Sequence, residues 1–516
     1  MKEGSNLIKN TIIFSIGSFS VKFIQFFLMP LVTGVMTQED YGLSESLVSL
    51  AELLIPLLTL GLQDAVFRFT MMDDVSPKGV LSTTLTIVLG GFSVLIVGSG
   101  LAMFKLNPQY CMLFAGLFVC VSLSNIWGQF VRGLGRIKVF ALSGIVQALT
   151  LALSTFVFVY HLRGGGMGYI LALIIAYSSS LLILFFPGHV FKNISIKSFD
   201  KKLLKRMIKY AAPLVPNMLS WWFVQVVNRF ILIYYLGEGA AGVFVANSKI
   251  SSLINIFGTI FLQAWTISTV KTINQEDKGE FNSGVYRNYA TFLQLATSGI
   301  MLLLPLLSAF LLKGEFAKTW QYSAVPIYTA LISCFTAFFG AYYGAALNNR
   351  MVLVSTLAGA VVNVVMCVIL TKFVGILGAM FASMLAYVVM TTIRMVDSQK
   401  YSNIKIKWVK EIPVFVLVFG QVMVALLYRK MPMWAYYVAN ASVFGVICLI
   451  KFKEIKEIVL TMVGLLKKLF GHKNAIKEVS NEEEINVDIK QDNQMEEVIQ
   501  IQDDIEKHCE GEEKNE

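Results

Sequence analysis

The stretch GGMGYILALIIAY at residues 165–177 returns as GILGAMFASMLAY at 375–387. Gly165, Gly168, Ala172, Ala176 and Tyr177 align with Gly375, Gly378, Ala382, Ala386 and Tyr387. The spacing is the same in both copies, five matched positions over thirteen residues. A second pair keeps the same spacing: Gly42 with Leu62-Gln63, and Gly242 with Leu262-Gln263. The chain therefore reads as two related halves.

Outward from these traces the sequence stays apolar. Of 516 residues, 56% are hydrophobic and 15% charged, and the mean hydropathy is +0.66. A soluble domain carries about a quarter charged residues, so most of these helices lack the polar face that water would require. A bilayer span needs about 20 apolar residues. About fourteen segments qualify, at approximately 11–33, 42–66, 79–104, 110–131, 139–161, 167–187, 210–235, 241–266, 288–312, 323–347, 352–371, 374–396, 411–428 and 432–450. The first is too long for a signal-peptide core and reads as a retained helix. The expected fold is an all-α integral membrane protein with two parallel-repeat six-helix bundles and two extra C-terminal helices. Its expected divisions are 1–190 (first bundle), 191–209 (basic linker), 210–400 (second bundle), 401–452 (two further spans), 453–472 (interfacial helix) and 473–516 (acidic tail).

Even-numbered loops carry about three times as many Lys and Arg as odd-numbered ones, which places the even loops and both termini in the cytoplasm. The densest basic run is Lys192, Lys197, Lys201, Lys202, Lys205, Arg206 and Lys209. It joins the halves and suits an anionic lipid surface. Residues 453–470 set Ile455, Ile458, Val459, Met462, Leu466 and Leu469 on one helical face, the pattern of a helix lying in the interface. From Glu478 onward 15 acidic residues face 3 basic ones, so the tail is expected to be disordered. The cysteines and the four histidines show no metal-ligand spacing, and no metal is expected. The odd loops are too short to house an external catalytic domain.

Parallel repeats place a substrate site between the halves near the midplane. A charge at mid-bilayer costs at least about 2.5–3.5 kcal/mol and is kept for a wet cavity or a partner. Lys22, Arg229 and Lys249 fall in spans one, seven and eight, which converge on the centre. Together they read as a cationic cavity for an anionic ligand, with Arg forking a phosphate and Lys supplying a point charge. Trp222, Gln225 and Asn228 lie near the face of Arg229. Ser252 and Asn255 share a face with Ser248, and Arg68 lies near the cytoplasmic end of span two. These are secondary lining candidates. Glu45, Glu52 and Asp64 on span two are candidates for ion coupling or charge balance. Structural readings stand beside these: Lys22 can pair with Glu45 or Glu52, and Lys249 can snorkel to an interface. Trp221 and Trp222 can stack on sugars, pack, or anchor at an interface. Pro213 and Pro216 are expected to bend the start of span seven.

Lys209-Tyr-Ala-Ala-Pro213-Leu-Val-Pro216-Asn217 is followed by Ser220-Trp221-Trp222, Asn228-Arg229-Phe230, Leu236-Gly237, Gly242-Val-Phe and Ser248-Lys249-Ile250. Near the start stand Thr37-Gln-Glu-Asp-Tyr41-Gly42, Leu60-Gly61-Leu62 and Arg68. This pattern resembles the Wzx-type polysaccharide repeat-unit flippases of the MOP exporter superfamily over roughly residues 5–400. The resemblance implies a MATE/MOP-like fold in a bacterial cytoplasmic membrane. It also implies a transporter rather than an enzyme, one that flips undecaprenyl-diphosphate-linked glycan outward by alternating access around a cationic cavity. Arg229 and Lys249 match the motif, and Lys22 matches by helix and depth. Asn228 departs from the acid many relatives carry before the arginine. The implied partners are the glycolipid, the bilayer and a polysaccharide polymerase machinery, with no nucleic acid and a monomer sufficing. No cofactor is expected. Without a Walker-type GxxxxGK[ST], the driving force would be H+, Na+ or the membrane potential. The alternatives are a lipid II or sporulation-type flippase, suggested by the fourteen spans, and a MATE-type cation antiporter, which would favour an acidic cavity. A membrane glycosyltransferase, ligase or polymerase would need a large external loop or a metal-binding Asp motif, and a scaffold would have no use for buried lysines.

Overall fold

Polar residues start several helices where the apolar runs begin. In the computed structural model Thr37 accepts from Asp40 N–H to open one helix. Ser76 and Asn107 do the same for two others, each with proline in the first turn, where its missing N–H is harmless. The structure describes residues 24, 26–72, 74–195, 198–273, 275, 278–346 and 348–460. Lys22, Lys197, residues 461–472 of the expected interfacial helix and the acidic tail lie outside them.

In chain order the helices are α1 (Phe26–Val35), α2 (Gln38–Leu58), α3 (Leu62–Thr70), α4 (Pro77–Ala102), α5 (Pro108–Gly133), α6 (Ile137–Thr155), α7 (Gly165–Phe185), α8 (Lys201–Ala211), α9 (Val215–Gln225), α10 (Val227–Leu236), α11 (Glu238–Ile250), α12 (Ser252–Thr272), α13 (Lys278–Leu311), α14 (Ala324–Ala345), α15 (Asn349–Val374), α16 (Ile376–Ser402), α17 (Trp408–Leu426) and α18 (Met433–Ile450). There is no strand among the described residues. Twelve helical segments are long and apolar enough to cross a membrane among the described residues, thirteen with one bent pair. α1 is the described part of the expected first span. The chain is a multi-pass, all-α membrane protein, as its hydropathy predicts.

Up to Ile450 the chain forms one unit; a second begins at Lys451, and residues 452–460 of it are helical. Within the first unit α2 to α7 pack on one another, α9 to α16 form a second set, and α17 and α18 pack against α13. α2 carries the junction between the sets by lying against α9, α10 and α11. It crosses α11 backbone to backbone. A Cβ on Gly42 would collide with the Glu238 carbonyl oxygen, and one on Gly242 with that of Gln38. The glycines paired by the sequence repeat thus pack against each other. Nearby, Thr33 donates to Leu311 O at 2.9 Å, and Gln38 Nε2 donates to Glu315 O at 3.0 Å. These contacts seal one end of the junction.

The basic linker packs on the first set. α8 buries Leu203, Met207 and Ala211 against α3 and α4, and Arg206 pairs with Asp74 at 3.0 Å. Span seven has a further bend that its prolines do not mark. Its bend, 44°, falls between α9 and α10, ten residues beyond Pro216. Pro213 and Pro216 sit in the first turns of a short 3₁₀ helix and of α9, where proline is accommodated. At this bend stands Asn363 on α15, whose Nδ2 donates to the carbonyls of Phe223 at 2.9 Å and Val224 at 3.0 Å. Those oxygens would otherwise accept from the next helical turn, and a side chain entering this ladder kinks a helix.

Candidate functional site

The crossing of α2 over α11 carries Glu45 into the junction. Its side chain is buried, 5% exposed, and three groups converge on it. Lys249 Nζ lies 3.2 Å from Oε1, and Arg229 Nη1 lies 3.7 Å from Oε2. Tyr169 donates its hydroxyl to Oε1 at 3.2 Å. Arg229 Nη1 also donates to Glu45 O at 3.0 Å and to Ser49 Oγ. α2, α7, α10 and α11 therefore meet at one ionic knot with two cations and one carboxylate. Burying one partner without the others would cost several kcal/mol, which explains the dense pairing. Donors still exceed acceptors: Arg229 Nε is buried without a hydrogen-bond partner.

The bend at Val226 sets how span seven meets this knot. Below the bend Trp222 Nε1 donates to Ser49 O at 2.8 Å; above it Arg229 reaches the same turn of α2. Asn228 points the other way. It is fully buried, donates to Ala379 O at 2.9 Å and Ser383 Oγ at 2.7 Å, and accepts from Asn363 at 2.9 Å. It braces the bend from within the second set and does not line the cavity.

Two chambers adjoin the knot. One, ≈ 150 Å³, lies in the second set, with Gln225, Arg229, Ser248, Ser251 and Asn255 on its wall. Ser251 takes the place expected of Ser252, because the helix breaks there: Ser251 N–H bonds Ser248 O at 3.2 Å, a tighter turn that shifts the facing residue by one. Asn255 Oδ1 accepts from Ser333 at 3.3 Å. The other chamber, ≈ 380 Å³, brings Glu52 together with Trp221, Trp222 and Gln225. Gln225 borders both. Asp64 and Arg68 stand apart on α3, beyond the left-handed turn at Leu60-Gly61. About 20 Å of helix rise separates that turn from Glu45, and the charge near Asp64 is Arg132.

Tyr169, Asn363 and Arg394 were not singled out from sequence. Arg394 is 3% exposed and has no carboxylate partner among the described residues. It donates to Ser355 Oγ at 2.9 Å, Thr356 Oγ1 at 2.9 Å and Thr336 O at 3.1 Å, with its guanidinium 5.7 Å from the Trp221 ring centre. An arginine inside an apolar run was the available signal. Tyr169 and Asn363 gave none, since their roles exist only across helices.

The model of the family described as "Polysaccharide biosynthesis protein" matches residues 7–269. No curated protein sequence matches the chain. Among solved structures, an inward-facing multidrug resistance MATE transporter of the MOP superfamily is 17% identical, with TM-score 0.62 over 76% of this chain and 98% of its own. The lipid II flippase MurJ, in an inward closed conformation, is 14% identical, with TM-score 0.59 over 86% and 99%. A MOP-superfamily transporter from Pyrococcus furiosus is 18% identical, with TM-score 0.52 over 76% and 95%. At these identities the likeness is one of fold. With the fold of MOP-superfamily transporters and a family match over more than half its length, the chain belongs to the polysaccharide biosynthesis protein family.

Proposed function

We propose that the protein flips an undecaprenyl-diphosphate-linked glycan from the cytoplasmic to the outer leaflet of a bacterial cytoplasmic membrane. The observation that carries this reading is the convergence of Arg229 and Lys249 on one carboxylate at the junction of the two helix sets. An arriving diphosphate offers more acceptors than Glu45 and suits the arginine fork. It displaces Glu45 as counter-ion, and the released carboxylate takes up a proton or sodium ion. By its place in the first apolar run, Lys22 is proposed as a third cation for the same ligand. The basic even loops put both termini in the cytoplasm and turn the sealed end outward. Moving one negative charge outward across 100 mV, inside negative, is favoured by about 2.3 kcal/mol, so the membrane potential aids export. Alternating access needs one chain, and a monomer suffices.

The test is reconstitution in liposomes with a fluorescent undecaprenyl-diphosphate oligosaccharide, reading outer-leaflet exposure with and without an imposed potential. Wild-type protein is expected to move the lipid, and Arg229→Ala to lose transport while staying folded in the membrane. Lipid II in parallel separates the cell-wall precursor reading. Uptake of a cationic dye in place of glycolipid would transfer the protein to the antiporter reading.

A further inference from the structure

The chamber beside the ionic knot has a composition that charge balance does not explain. Glu52 lies seven residues along α2 from Glu45, about 10 Å of rise. Trp222 lies seven residues before Arg229 on the antiparallel span. Both helices therefore set the chamber one step from the knot, away from the Thr33–Leu311 end. Its volume, ≈ 380 Å³, falls within the ~300–1,000 Å³ of small-molecule sites. Glu52, Gln63, Asn125, Tyr177, Trp221 and Trp222 face into it. Glu52 and Asn125 are exposed there. Among the described residues Glu52, Gln63 and Asn125 have no hydrogen-bond or salt-bridge partner. A carboxylate and two amides without partners, inside a membrane-spanning body, point to a polar ligand.

The aromatic rings are fixed in advance. Trp222 is tethered through its indole N–H to Ser49 O at 2.8 Å, and Trp221 is held under the Arg394 guanidinium. Rings immobilised before binding lose little entropy on binding. An indole face beside a carboxylate and carboxamides matches a pyranose: its C–H face lies on the ring, and its adjacent hydroxyls donate to the carboxylate and bridge the amides.

We propose that this chamber is a sugar-binding compartment, in which a pyranose ring of the transported glycan packs on Trp221 and Trp222 and is hydrogen-bonded by Glu52, Gln63 and Asn125. It rests on the reading of the protein as a lipid-linked glycan carrier and assigns Glu52 to sugar recognition. The compartment, about 10 Å from the Arg229–Lys249 pair, holds the first sugars while the diphosphate sits at the cations.

Binding to the purified full-length protein in nanodiscs tests it, with three kinds of probe: farnesyl diphosphate alone, farnesyl diphosphate bearing a sugar, and the matching methyl glycosides. The sugars are a neutral hexose, an N-acetylhexosamine, a 2-amino sugar and a hexuronic acid. At least one sugar is expected to tighten wild-type binding over bare farnesyl diphosphate by about tenfold, the scale of one charge-assisted hydrogen bond. Trp221→Ala and Glu52→Gln should bring that ratio near one and leave bare farnesyl diphosphate unchanged. Trp221→Phe, which keeps a stacking face and guards against a folding defect, should retain most of it. The proposal is overturned if none of the four sugars adds affinity, or if the ratio survives in the Glu52→Gln/Trp221→Ala double variant. Glycosides that bind wild type but not these variants, with no binding of farnesyl diphosphate, would uphold the compartment and remove the diphosphate reading instead.

Discussion

α2 and the α11–α12 span occupy matching places in the two halves, yet they carry opposite chemistry. Counting from Gly42 and Gly242, Glu45 corresponds to Val245, Ser49 to Lys249 and Glu52 to Ser252. The glycines are alike because both backbones must meet at the crossing. The positions that follow are not alike: two acids and a serine on α2 stand where the other span has a valine, a lysine and a serine. A duplicated scaffold thus conserves what close packing needs and lets the lining diverge. The ionic knot exists because the halves differ, since two copies of either lining would place like charges together.

The comparison can be broken most severely at Glu45. Glu45→Ala removes the carboxylate that pairs with both cations and should cost about 3–5 kcal/mol, the penalty for orphaning one side of a buried pair. Thermal unfolding in detergent reads this, and an unchanged midpoint would mean that the knot contributes nothing to stability. Next come the glycines. Gly42→Ala and Gly242→Ala each force a Cβ onto the facing helix's backbone and should each cost about 1–3 kcal/mol. Similar losses in the two would sharpen the symmetry, whereas a loss in only one would show that the crossing is borne unequally. The smallest effect on stability belongs to Lys249→Gln. Its side chain is 32% exposed and Arg229 still neutralises Glu45, so about 1 kcal/mol or less is expected. The same substitution should stop transport in the liposome assay, separating fold from function at one residue.

Much of this architecture was legible in the sequence because the bilayer imposes its own rules. Spans are apolar, loops are charged, and the repeat left its mark in Gly42, Gly242 and the two alanine ladders. The meeting of Arg229 with Lys249 was legible because intramembrane charges are few. What escaped depends on departures from a straight helix. Ser252 was expected to face the cavity, but the tightened turn at Ser251 moved the face by one residue. Asn228 shares a sequence neighbourhood with Arg229 and yet points into the second set, drawn there by Asn363. The bend at Val226 left no local mark, because the amide that meets its open carbonyls lies on α15, more than a hundred residues away in the chain.

The amide of Asn363 acts as a rivet. It holds two carbonyls of α9 at the break and grips Asn228 on α10 at the same time. Pulling α15 away would strand those groups in a dry interior at about 1–3 kcal/mol for each buried acceptor. Force applied to α15 is therefore passed to both arms of the bent span together. α9, α10 and α15 are thereby tied at one point, the break at Val226, and Arg229 sits three residues from it.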